Sequence, residues 1–205
     1  MLRPVLEGLL DLLAPPRCPA CDAVVPPGEA RFCDACGPLL DRWPHGDDAG
    51  FVYGGPLAEA IKRFKYGRRW DLARPLGALL LQPSLSFVDR ADLVVPVPLH
   101  PRRLRARGFN QATLLARYVA KTLAIPLETS LLERVRETNE QASLSKEARV
   151  VNVRGAFRAK RAVTERVLLI DDVRTSGATL AECAAALTAR GAAGVCSLVL
   201  ARAEV

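Results

Sequence analysis

The sequence has no low-complexity tract and no internal repeat, so it reads neither as a disordered tail nor as a repeat array. No apolar run reaches the ~20 residues that a membrane-spanning helix needs. The nearest, MLRPVLEGLLDLLAPP at the N-terminus, is interrupted by Glu7 and Asp11 and is not followed by the small-residue cleavage site of a signal peptide. We therefore expect that stretch to be retained and the chain to be cytoplasmic. Leu2, Leu6, Leu9 and Leu13 recur there at helical spacing, which predicts an amphipathic helix, packed on the protein or offered to a membrane surface or partner. Also missing is the GxxxxGK[ST] phosphate loop with its lysine, which disfavours ATPase chemistry.

What is present suits a globular α/β chain. Its 205 residues can bury one good core and carry a small accessory module, and half of them are hydrophobic. The 29 Lys and Arg against 22 Asp and Glu leave a formal +7, which favours anionic partners such as phosphates, nucleotides or nucleic acid.

The six cysteines divide into two groups. Cys18-x-x-Cys21 and Cys33-x-x-Cys36 lie in a Pro/Gly-rich stretch with few large apolar residues, so something other than a core must hold it together. Two CxxC knuckles supply four thiolates for a structural Zn²⁺, the zinc-ribbon solution to that problem. Paired disulfides fit a cytoplasmic chain poorly, and a redox role for two such pairs fits less well still. Cys183 and Cys196 fall within helix and strand patterns and read as core residues. Between Trp43 and Gly50 the segment PHGDDAG reads as a linker or turn, which places the cysteine module at 1–46 and the main domain at 47–205.

In the main domain the patterns predict strands at 51–53, 93–97, 167–170 and 195–201. Helices are expected at 56–66, 71–81, 110–123 and 177–190, with an irregular polar stretch from 134 to 152. DLVVPVP, RVLLID and VCSLVLA are continuously apolar, as parallel strands covered on both faces are.

VLLIDDVRTSGAT joins several signals. Four apolar residues make a buried strand, and Asp171 and Asp172 stand at its carboxyl end, where open parallel sheets place ligands. Arg174, Thr175, Ser176, Gly177, Ala178 and Thr179 then offer backbone N–H groups, small hydroxyls and a glycine at the positive end of a helix, which is a phosphate cradle. The alternative is an acidic pair that only ends a strand and caps a helix. A second loop, Leu99-His100-Pro101-Arg102-Arg103-Leu104-Arg105-Ala106-Arg107, puts four arginines within six residues, a crowding that an anion such as pyrophosphate relieves. Taken singly these arginines also fit a solvated basic turn, and His100 is only a weak acid/base candidate.

The thirteen residues from Val167 to Thr179 closely resemble the fingerprint of type I phosphoribosyltransferases. That resemblance implies that Asp171 and Asp172 are the catalytic acidic pair, meeting ribose hydroxyls directly or through Mg²⁺. It further implies that the loop after them holds the 5′-phosphate, and that Leu99, His100, Arg102, Arg103 and Arg107 form the pyrophosphate loop. Ser176 stands where threonine is common, and Arg174 fills a variable position.

Over nearly its whole length the chain resembles the ComF family of competence proteins. The matching blocks are the paired CxxC module, Ile61-Lys62-Arg63-Phe64-Lys65-Tyr66-Gly67, the segment VPVPLHPRRLRARGFNQA, the fingerprint, and the pattern Arg134, Thr138, Gln141, Leu144, Arg149, Asn152 leading to Gly155-Ala156-Phe157. In the superfamily the last region forms a flexible loop and hood. The expected fold is thus a type I phosphoribosyltransferase-like parallel sheet flanked by helices, with an N-terminal four-cysteine zinc ribbon. The expected function is phosphoribosyl pyrophosphate binding with Mg²⁺, by a phosphoribosyltransferase of unidentified acceptor linked to DNA uptake. The alternative is a non-catalytic competence protein that handles single-stranded DNA, working with the uptake machinery over a ligand-sensing or vestigial fold. A purely structural zinc adaptor would leave the fingerprint unused. IKRFKYGRRW bears on the choice. Leu57, Ile61 and Phe64 would face the core, leaving Lys62, Arg63 and Lys65 as a solvated face that can serve as a DNA track.

Overall fold

A computed structural model describes residues 15–26, 32–137 and 151–203. The expected N-terminal helix and most of the polar stretch, including Thr138, Gln141, Leu144 and Arg149, lie outside the described residues. Among the described residues no helix is long and apolar enough to cross a membrane.

The apolar runs become four parallel strands. After β1 (Ala49–Val52) come helices α1 (Gly55–Tyr66), α2 (Ala73–Leu79) and α3 (Leu81–Ser84), then β2 (Leu93–Pro96), α4 (Pro101–Arg107) and α5 (Gln111–Leu123). Two short strands, β3 (Leu132–Arg134) and β4 (Phe157–Ala159), precede β5 (Arg166–Arg174), α6 (Ala178–Thr188) and β6 (Gly194–Arg202). The sheet order is β1-β6-β5-β2 with every pair parallel, whereas β3 and β4 pair only with each other, antiparallel.

Alternation along the strands divides the core between two faces. Leu168 and Ile170 of β5 pack with Leu57, Ile61 and Phe64 of α1, Leu76 of α2 and Leu115 and Val119 of α5. Val167 and Leu169 pack on the other side with Leu180, Cys183 and Leu187 of α6 and with Leu132 and Phe157 of the β3–β4 pair. The sheet is a buried layer between helices, as its unbroken apolar strands require. At the near end of the β2–β5 pair, Asp92 accepts from the Arg166 side chain and backbone N–H, and these bonds hold its carboxyl down to about 2.

The cysteine module docks on this core. Cys18, Val25 and Phe32 share one buried cluster with α1. PHGDDAG is the turn of a hairpin, because Val52 N–H donates to Asp41 C=O at 2.8 Å and Trp43 N–H to Gly50 C=O at 3.1 Å, laying residues 41–43 antiparallel along β1.

Two expectations are corrected. The arginine-rich loop is mostly the helix α4, with Pro101 at its start and Gly108 (φ +86°) at its end, a proline-first, glycine-last pattern that suits a short helix. Lys65 and Arg63 do not form a solvated face: both side chains are about four-fifths buried, at 21% and 20% exposure, and both are ion-paired.

Helices α2 and α5 meet so closely that a Cβ on Gly77 would stand 2.3 Å from the Tyr118 ring. Gly77→Ala is therefore expected to cost about 1–3 kcal/mol through overpacking. Adding Tyr118→Leu should recover much of that loss. Urea midpoints of the single and double variants check this, and additive losses would show that the two residues do not meet.

Candidate functional site

The candidate site is set by a mismatch in strand length. β2 pairs with β5 from Leu93–Val167 to Pro96–Ile170 and stops, whereas β6 accompanies β5 as far as Arg174–Arg202. From Asp171 to Arg174, β5 thus has β6 on one edge and no strand on the other. The strand was expected to end at Ile170; it continues because its ladder uses backbone groups and is indifferent to the polar side chains.

Since the acidic pair lies within the strand, its two carboxylates depart toward opposite faces. Asp172, only 7% exposed, follows Leu168 and Ile170 to the α1 side, where Lys65 Nζ stands 2.7 Å from its Oδ1. Burial by itself would lower the Lys65 pKa, but the Asp172 charge and hydrogen bond, with Asp171 behind, outweigh it and raise it. Asp171 follows Val167 and Leu169 to the α6 side. There it feels Arg134 of β3 and is felt by Cys183 of α6, and its Oδ1 accepts from the Asp172 backbone N–H at 2.8 Å. Desolvation first, then the Asp172 charge, pushes its carboxyl up to about 7 against the pull of Lys65 and Arg134.

The cradle follows at once. Thr175, Ser176 and Thr179 are half-buried, and Gly177 adopts φ +79° at the N-cap of α6. A Cβ at Gly177 would lie 3.1 Å from Arg174 Nε, so both the backbone and the guanidinium above it call for glycine. Ser176 Oγ reaches the Ala178 N–H at 3.5 Å. Arg174 is held beside the loop by an ion pair with Asp48, which also takes Arg202 at 3.1 Å. The loop from Thr175 to Thr179, with its hydroxyls, and the positive end of an 11-residue helix thus follow directly on the acidic pair.

The second group of basic residues is spread rather than gathered. His100 caps α4, its Nδ1 accepting from the Arg102 N–H at 3.4 Å, and Leu99 is half-buried before it. Arg102 pairs with Glu137 at 2.9 Å, while Arg107 donates to Gln111 Oε1 at 2.8 Å and lies over the Tyr66 ring. Arg103 acts on Arg134, which is buried over Phe157 and shares the surroundings of Asp171. Arg103 is thus near enough to Arg134 for their charges to repel.

Cys18, Cys21, Cys33 and Cys36 bring their sulfurs within 4.8 Å of one another, with Cys21 Sγ and Cys33 Sγ 3.6 Å apart. Four sulfurs around one ion at ~2.3 Å stand about 3.8 Å apart, so the set fits a tetrahedral zinc site. Burial pushes the Cys18 thiol up, but the backbone N–H groups of Cys33, Cys21 and Ala20 bring it down to about 7, toward the thiolate a metal needs. Cys183 is buried in α6, and the half-buried Cys196 donates to Val167 C=O at 3.5 Å; neither joins the cluster.

Lys65 is the site residue that sequence reasoning missed. Its place four residues after the core residue Ile61, at the border of the buried face, was the available signal.

Fold and site together define a parallel α/β protein with an acidic pair and a glycine-opened helix N-terminus at the open edge of its sheet, and a four-cysteine metal-type module docked on its first helix. No family model matches the chain. It is 36% identical over 186 residues to the DNA utilization protein YhgH of Salmonella typhi, spanning 87% of this chain and 80% of that one. Competence protein F of Haemophilus influenzae is 34% identical over 163 residues, spanning 74% and 71%, and competence protein ComFC of Bacillus subtilis is 34% identical over 159 residues, spanning 74% and 62%. The chain belongs to the ComF family of competence proteins. Among solved structures it superposes on glutamine phosphoribosylpyrophosphate amidotransferase from B. subtilis with a TM-score of 0.42 at 24% identity, over 69% of this chain and 27% of that one.

A raised Asp171 makes the folded state the tighter proton binder, so its contribution to stability is complete below the ordinary carboxylate range near 4 and is lost as pH rises through about 7. Asp171→Asn should therefore raise the melting temperature at pH 8 by about 2–4 °C per kcal/mol recovered, with a smaller gain at pH 4. Melting curves at the two pH values check this; equal shifts at both would mean that Asp171 titrates as an ordinary carboxylate.

Proposed function

We propose that the chain binds phosphoribosyl pyrophosphate at the open edge of β5, as a phosphoribosyltransferase-type protein serving the use of incoming DNA. The observation that carries this is the acidic pair at Asp171 and Asp172 followed within one turn by the Gly177-opened N-terminus of α6. Carboxylates accept from ribose hydroxyls, and the amides and hydroxyls from Thr175 to Thr179 suit the 5′-phosphate. The arginines of α4, Arg102, Arg103 and Arg107 among them, are candidates for the diphosphate. Mg²⁺ would travel with that diphosphate and neutralise part of its charge. In transfer, a nitrogen nucleophile forms a bond to the anomeric carbon while the bond to the diphosphate breaks; the protein's part is positioning and electrostatics. The names of the relatives, DNA utilization and competence proteins, support a place in the handling of DNA.

A second reading, direct contact with single-stranded DNA, is favoured by one observation. Tyr66 and Trp70 are 64% and 69% exposed beside the exposed Lys62 and Arg68, an arrangement suited to base stacking and phosphate neutralisation. A mobility-shift assay should then show binding that weakens steeply with salt and is lost in Tyr66→Ala/Trp70→Ala. Salt-independent binding would remove this reading.

For the ligand site, calorimetry with Mg²⁺ and phosphoribosyl pyrophosphate should show binding to the wild type that weakens about tenfold or more in Asp172→Ala, the scale of losing a charged hydrogen bond. Wild type and variant binding alike, or neither binding, would refute the assignment.

We further assign zinc to the four cysteines. About one zinc per chain should be released by a thiol-modifying reagent, and Cys36→Ser should lower both metal content and melting temperature. A zinc-free chain as stable as the wild type would overturn this.

A further inference from the structure

The sequence block IKRFKYGRRW, which composition alone offers as a DNA track, contributes something else to the structure. At the end of α1, Arg63 donates to Pro19 C=O at 3.1 Å and Ala20 C=O at 3.0 Å and pairs with Asp22, gripping the turn between Cys18 and Cys21. Two residues later Lys65 turns to the sheet and reaches Asp172 at 2.7 Å. One helix end is fastened to the cysteine module and to the acidic pair.

We propose that Lys65 is a positioning residue of the ligand site: its ammonium takes the cation's place on Asp172, so that the acidic pair receives ribose hydroxyls directly, with no divalent ion bridging to Asp172. The inference rests on the ligand reading above and deepens it. A carboxylate 7% exposed needs a partner, because an unpaired charge at such a position is costly. Lys65 supplies that partner from a largely buried stem, whose geometry is set by Ile61 and Phe64 in the core and by the Arg63 grip. An ammonium at 2.7 Å also takes one acceptor direction of that oxygen and neutralises the carboxylate, which weakens its attraction for Mg²⁺. The titratable and charged groups that face the pair or its lysine are Lys65 and Tyr66 on α1, Arg134 on β3 and Cys183 on α6, with Arg103 acting on Arg134. Lys65 contacts Asp172 directly. A metal requirement then belongs to the diphosphate portion of the ligand and not to its ribose.

Ribose 5-phosphate, which lacks the diphosphate, separates the two parts. In wild type it should bind equally well, within about twofold, in EDTA and in Mg²⁺. Lys65→Met should weaken that binding in EDTA about tenfold or more, the scale of losing a charged hydrogen bond, and Lys65→Arg should restore most of it. Without any sugar, Lys65→Met should gain a Mn²⁺ site, seen as loss of the free-ion signal in electron paramagnetic resonance, that Lys65→Met/Asp172→Asn lacks and the wild type lacks. Ribose 5-phosphate binding by wild type that requires Mg²⁺, or Lys65→Met matching wild type in both assays, would overturn the proposal. If wild type binds neither ribose 5-phosphate nor phosphoribosyl pyrophosphate, the ligand reading falls, and the Mn²⁺ comparison alone decides what Lys65 does.

Discussion

β5 is longer than the strand beside it, and the candidate site exists because of that difference. Where β2 stops at Pro96, the peptide groups of β5 from Asp171 onward lose a neighbour on one edge but keep β6 on the other, so the strand holds its course while one edge opens. An irregular loop in the same place would not fix two consecutive carboxylates; a paired strand does, because its pleat dictates the face each side chain takes. The turn into α6 then needs a left-handed residue, and Gly177 supplies it under the Arg174 guanidinium. Acid pair, turn and helix N-terminus are consequences of a single register.

The pleat also explains why neighbouring acids live in different chemistry. Asp172 is driven to the α1 face and finds a lysine there. Asp171 is driven to the face roofed by α6 and the β3–β4 pair, where desolvation and the adjacent charge raise its pKa to about 7. One carboxyl has a lysine in contact with it, and the other is pushed up toward neutrality by burial and the adjacent charge. Different surroundings are a recurring way to give neighbouring titratable groups different roles. Here the two backbone positions, one residue apart, are enough to do it.

How far the sequence could lead depended on which physical force wrote each element. Continuous apolar runs such as LVVP and VLLI write buried strands directly, and these were legible. The extension of β5 through Asp171 to Arg174 was not, since ladder hydrogen bonds leave no mark in side-chain polarity. Three-residue strands such as β3 and β4 are too short to show a period. For α4 the signals were present in Pro101 and Gly108, but four arginines drew attention to charge before backbone. The cysteine cluster was legible because metal ligation depends on spacing; its grip on α1 was not, because the partners of Arg63 lie more than 40 positions away.

That grip changes what the cysteine module is for. A module that only folded itself would need no contact with the acidic pair, yet Arg63 and Lys65 share the last turns of one helix, and Cys18, Val25 and Phe32 pack into the same buried cluster as Ile61 and Phe64. The knuckle holding Cys18 and Cys21 presents the carbonyls of Pro19 and Ala20 to Arg63, so the geometry of the metal-type site is part of what aims α1. α1 in turn aims Lys65. Two residues, Arg63 and Lys65, thus link the knuckle to Asp172 by direct contacts.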